Sequence, residues 1–143
     1  MIYLDANVIL RYLLADNVGQ HIIAKNVIDV SPNLFILDGV VVETVYVLTK
    51  TYGINKELVS DKLVELFEQK RFCFENKSLI LETLNIFKKM NLDFVDCLLY
   101  ACKRLKNAEV FTFDEKLLKS LEKESSQENG TNKESEQKEI EKD

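Results

Sequence analysis

Short apolar stretches that alternate with helix-length amphipathic segments predict an α/β fold, built on a small parallel sheet with helices on both faces. Strands are expected at residues 1–4, 34–37, 71–74 and 109–113. At least one helix-length segment separates each pair of consecutive strands, which forces parallel pairing through right-handed crossovers. A chain of 143 residues, 46% hydrophobic and with a single proline, can close a real core over such a sheet.

The elements follow in order. MIYL is a short apolar strand that ends at Asp5, and ANVILRYLLAD has the length and spacing of a helix. A second helix is expected over residues 19–29, where Ile22, Ile23, Val27 and Ile28 form an apolar stripe. Ser31-Pro32-Asn33 breaks the chain before the next strand. GVVVETVYVLTKTYG has the length of a helix and the β-branched composition of a strand, so its period alone leaves both open. Asn55 is a helix cap for KELVSDKLVELFEQK. Two further helices are expected over residues 78–90 and 94–106, and EKLLKSLEK forms a last helix after the fourth strand.

After about Leu121 the composition changes. The segment EKESSQENGTNKESEQKEIEKD has one aliphatic residue, Ile140. The expected organisation is a folded domain at residues 1–121 and a disordered charged tail at 122–143. From Ser120 onward there are 8 acids and 4 lysines, or −4 of the total −5. The domain thus retains 16 acids against 15 basic residues and is nearly neutral, with clusters at Lys88-Lys89 and at Lys103-Arg104 with Lys106. An acidic pI therefore does not argue against a polyanionic partner.

Acids interrupt every apolar run well before about 18 residues, so no membrane span is expected. No basic segment precedes the first apolar stretch, as a signal peptide would require, and the expected location is the cytoplasm. Cys73, Cys97 and Cys102 form no C-x-x-C pair and read as small core residues. His21 is the only histidine, on a helical segment, which argues against structural zinc and against a Ser/His/Asp triad. Any catalysis runs on carboxylates.

Four carboxylates stand alone in apolar surroundings: Asp5 in IYLDANVIL, Glu43 in VVVETVYVL, Asp96 in DFVDCLLYA and Asp114 in VFTFDEKLL. A buried acid without a partner is costly, so the pattern reads either as helix caps or as ligands of a shared cation. Asp5 and Asp114 both follow an expected strand, on the edge of an α/β sheet where ligands bind, and each could equally cap the next helix. Asp93 and Asp96 have capping-box spacing. Glu43 fits no helix start, and without a metal it reads as an acid on an exposed face.

These segments resemble the PIN-domain ribonucleases, most closely the VapC-type toxins of toxin–antitoxin pairs. DANVILRYLLADNVGQHIIA is similar to that family's Asp-x-Asn opening with its downstream Gln20; VVVETVYVLTKTYGI to its glutamate-bearing helix; DFVDCLLYA to its Asp-x-x-Asp segment; and VFTFDEKL to its strand-end Thr-x-Asp. They occur in family order over residues 1 to about 118. The resemblance implies a sheet of four or five strands, a helical setting for Glu43, and metal-dependent hydrolysis of RNA. It implies that Asp5 and Asp96 are primary ligands of Mg²⁺ or Mn²⁺, that Glu43 positions the attacking water, and that Asp114 completes the acidic cluster. Asn7 and Thr112 stand as polar helpers behind the acids, and Arg11 as a contact to RNA or to the antitoxin. A VapB-type antitoxin and a homodimer are implied partners.

Physically, all-oxygen ligands suit a hard divalent cation that leaves positions open for water and phosphate. Two other readings stand beside the nuclease: a catalytically silent PIN-like domain that binds RNA or protein, and an α/β phosphatase or receiver-like pocket. The latter requires a lysine on a late strand, and the last expected strand, 109–113, has none before Lys116.

Overall fold

A computed structural model describes residues 1–140, with side chains as far as Gln127, and separates the chain into two compact units, Met1–Leu98 and Leu99–Asp143. The fold class is α/β, with helices around a small parallel sheet.

In the first unit, β1 (Ile2–Tyr3) leads into α1 (Ala6–Leu14) and α2 (Val18–Val30), and β2 (Leu34–Phe35) into α3 (Asp38–Tyr46). A π-helical turn, Val47–Thr51, extends α3, and α4 (Lys56–Phe67) follows. β3 (Phe72–Cys73) then precedes α5 (Lys77–Lys89) and the start of α6 (Phe94–Lys106). The strand order is β1-β2-β3, all parallel, with Ile2 opposite Leu34 and Leu34 opposite Phe72. Flanking backbone bonds lengthen both ladders: Leu4 N–H donates to Phe35 O at 3.0 Å, and Ile36 N–H to Cys73 O at 2.9 Å.

Local chemistry sets the helix starts. The side-chain oxygens of Asn17, Asn55 and Asn76 accept from backbone N–H groups in the first turns of α2, α4 and α5, replacing intrahelical partners that those donors lack. Asn55 is thus the cap expected from the sequence. α1 ends at Ala15, in the left-handed conformation with φ 53°.

The core of this unit is made by Ile9, Ile28, Leu34, Ile36, Val41, Leu63, Phe67, Phe72, Ile80 and Leu84, all fully buried. Each contributes about 1.5–3 kcal/mol relative to an exposed position. α1 packs on both α2 and α3, and α4 on α5.

The ambiguous segment after Leu37 is helical. Val41, Thr44, Val45 and Leu48 are buried at the i, i+3, i+4, i+7 spacing of one helix face. The hydroxyls of Thr44 and Thr49 donate to Val40 O and Val45 O, so these β-branched polar side chains are satisfied within the helix.

The second unit contains the rest of α6, an irregular segment at residues 107–114 and α7 (Glu115–Ile140). One expectation is corrected here. Residues 109–113 form no strand, so the sheet has three strands among the described residues rather than four or five. Phe111 and Phe113 are 86% and 87% exposed and touch each other edge-on. An alternating β-branched and aromatic sequence favours a strand only when a ladder partner and a packing face are supplied.

The segment expected as a charged tail at 122–143 begins inside α7. α7 continues through residues 122–140 as helix, while 141–143 lie outside the described residues. Its inward face passes from Leu117 and Leu121 to Glu124, a carboxylate 8% exposed whose Oε2 accepts from the Tyr100 hydroxyl at 2.7 Å. Arg104 Nε stands 3.6 Å from the other oxygen. A buried acid with a phenol and a guanidinium as partners extends the packed face one turn beyond the last leucine.

Candidate active site

The start of α1 supplies Asp5. It follows β1 and caps the helix, with Oδ1 accepting from Ala6 N–H at 2.8 Å. Because Ala6, Ile9 and Leu10 turn into the core, Asp5 and Asn7 are left exposed at the helix start.

Glu43 lies on the outer face of α3. At about 100° per residue it stands some 200° around the helix from Val41, away from the buried stripe, and it is exposed. Val41 and Val45, which flank it in sequence, occupy the buried side. Asp96 is half-buried in the first turn of α6, where helix N–H groups favour negative charge.

In the second unit Asp114 caps α7, with Oδ1 accepting from Leu117 N–H at 2.8 Å. Thr112 Oγ1 accepts from Asp114 N–H at 3.0 Å and so shapes the approach to that cap. Asp5 and Asp114 are both caps, and both are exposed. Four oxygen-donor side chains remain chemically suited to a hard divalent ion. Among the described residues no group of three or more His, Cys, Asp or Glu side chains could hold a metal.

Arg11 belongs to a network that sequence reasoning missed. Its Nη1 donates to Asp16 Oδ1 at 2.6 Å, and the Tyr52 hydroxyl donates to Asp16 Oδ2 at 2.9 Å. The Arg11 and Tyr52 hydrogen bonds hold the Asp16 carboxyl below its ordinary range, and Asp16 in turn raises the Arg11 guanidinium. His21, with its proton on Nδ1, donates to Arg11 O at 2.9 Å, a structural use of the only histidine. The five-residue spacing of Arg11 and Asp16 across a helix end gave no periodic signal. Beside this network a cavity of about 490 Å³ lies among β1, α1 and α2, with Tyr3, Asn7, Arg11 and Gln20 in its wall.

Much of the positive charge available for a phosphate backbone is engaged. Lys88 pairs with Asp61 at 2.6 Å, Lys56 donates to Met90 O at 2.7 Å, and Arg71 donates to Ile28 O at 2.7 Å. Cys97, next to Asp96, is fully buried; desolvation first, then the Asp96 charge, pushes its thiol up to about 12.

The profile of one known family, described as PIN domain, matches residues 2–123 and so contains all four acids. The chain belongs to the PIN domain family. No curated protein and no solved structure matches it. PIN domains are in general nucleases and typically use a divalent metal. The PIN match ends two residues beyond Leu121, with α7 already under way. No helix among the described residues is long and apolar enough to cross a membrane.

Proposed function

We propose that this PIN domain is a metal-dependent endoribonuclease acting as the toxin of a toxin–antitoxin pair, with a VapB-type antitoxin and a second copy of itself as partners in the cytoplasm. The observation that carries the reading is the family match over residues 2–123, within which no expected acid is missing. In this reading Asp5 and Asp96 are the principal ligands of Mg²⁺ or Mn²⁺, and Asp114 completes the set. Glu43 orients a water and takes its proton on a carboxylate oxygen. Asn7 and Thr112 hold neighbouring groups in place. A bound divalent ion supplies activation of water and neutralisation of charge on the phosphoryl oxygens.

The second reading is a catalytically silent domain that binds RNA or protein. The two readings separate in one assay, cleavage of a mixed pool of small RNAs by purified protein with Mg²⁺ or Mn²⁺ against EDTA. Asp5→Asn is the informative control, because Asn caps a helix as well as Asp and the fold of α1 should persist. Metal-dependent cleavage that falls at least about 100-fold in Asp5→Asn supports the nuclease, since removal of a group acting on the transition state lowers rate without unfolding. Equal cleavage by the variant removes Asp5 from the site, and no cleavage by well-folded parent protein favours the silent domain.

A further inference from the structure

We propose that the cavity among β1, α1 and α2 is a subsite for one unstacked nucleobase of single-stranded RNA; this rests on the ribonuclease reading and names its specificity pocket. A volume of about 490 Å³ lies within the range of small-ligand sites. One part of its wall is apolar, including Ile23 and Val27, and Tyr3 adds a largely exposed ring braced against Phe35 at 4.9 Å. Flat apolar and aromatic walls suit the faces of a base.

The polar part of the wall suits a base edge. Among the described residues neither the Asn7 nor the Gln20 side-chain amide has a hydrogen-bond partner, and Gln20 is fixed through its backbone N–H by Asn17. Behind the wall Arg11 Nε is buried and without a partner, while Nη1 donates to Asp16. Asp16 offsets the Arg11 charge, so the site is poorly matched to a phosphate and well matched to a neutral edge carrying both acceptors and donors. Asn and Gln amides read such edges with paired bonds. Asn7 stands two residues after Asp5, which in the ribonuclease reading puts the base near that acid. A protein segment would also find apolar surface here, but it would leave the two amides without edge partners.

The test uses the full chain and the four nucleoside 5′-monophosphates in EDTA, titrated while the NMR signals of the Gln20 amide and Arg11 Nε are followed. One base should shift both signals at least about fivefold more tightly than the least favoured one. Gln20→Leu should reduce that preference about tenfold, and Val27→Phe, which fills a half-buried wall position, should abolish binding without loss of fold. Equal shifts by all four nucleotides, or none, overturn the subsite. Shifts of the same signals that depend only on protein concentration overturn it in favour of a second copy. Because no metal or cleavage is involved, failure here leaves the nuclease assay standing. In that assay, a parent that cuts with a base preference at one position, relaxed by Gln20→Leu, supports the subsite; an unchanged preference overturns it.

Discussion

Asp5 and Asp114 perform the same local task in different settings. Each ends an extended segment and caps a helix through Oδ1. The segment before Asp5 is β1, an element of a parallel ladder followed by a helix whose Ile9 is fully buried. The segment before Asp114 carries two phenylalanines in solvent and has no strand partner among the described residues. A capping aspartate is therefore secured by its own helix and says little about the strand before it, whereas a ladder depends on neighbours distant in sequence.

The largest effects should come from the cores beneath the two caps. Ile9→Ala and Leu117→Ala, both fully buried, should each cost about 2–5 kcal/mol in chemical denaturation. If Leu117→Ala costs under about 1 kcal/mol while Ile9→Ala behaves as expected, the second unit contributes little to the cooperative fold. Next in size is the cap itself: Asp114→Ala should lose about 1 kcal/mol and Asp114→Asn almost none. A parallel loss in both variants would mean that charge rather than cap geometry matters.

The Arg11–Asp16–Tyr52 network gives a smaller, pH-dependent effect. Asp16 is depressed in the folded state, so its contribution is present above its unfolded value, about 3.9, and fades as pH falls through the folded value. The denaturation midpoint of the parent should drop further than that of Asp16→Asn between pH 5 and pH 2. Identical slopes would show the pair to be too solvent-screened to matter. Smallest of all, Phe111→Ser should change stability by no more than about 0.5 kcal/mol. A loss above about 1 kcal/mol would show that residues 109–113 are packed in solution.

Local rules carried much of the fold. Asn55 announced α4, the stripe of Ile22, Ile23, Val27 and Ile28 announced α2 although only Ile28 of the four is buried, and α6 spans the expected residues 94–106. Where composition and length disagreed, the sequence left the element open. Val40 to Val47 favours a strand locally, yet the i, i+3, i+4 burial of Val41, Thr44 and Val45 makes it a helix. Glu124 gave no signal because a buried carboxylate is legible only through its partners, Tyr100 and Arg104. The acids of the candidate site were legible as exceptions to apolar runs; how far each is buried was not settled, because a run of apolar letters does not reveal which face of a helix each letter occupies.

The π-helical turn at Val47–Thr51 adjusts rotation as well as length. Tyr52 N–H bonds back five residues to Val47 O at 3.0 Å, and each residue added to a helix turns everything after it by about 100°. With that extra step, the Tyr52 hydroxyl reaches Asp16, 36 residues earlier in the chain. The turn thus acts as an index setting between the end of α3 and the end of α1. A one-residue deletion between Tyr46 and Tyr52 would restore regular helix and swing the phenol away from Asp16, so this stretch should tolerate substitution far better than any change in length.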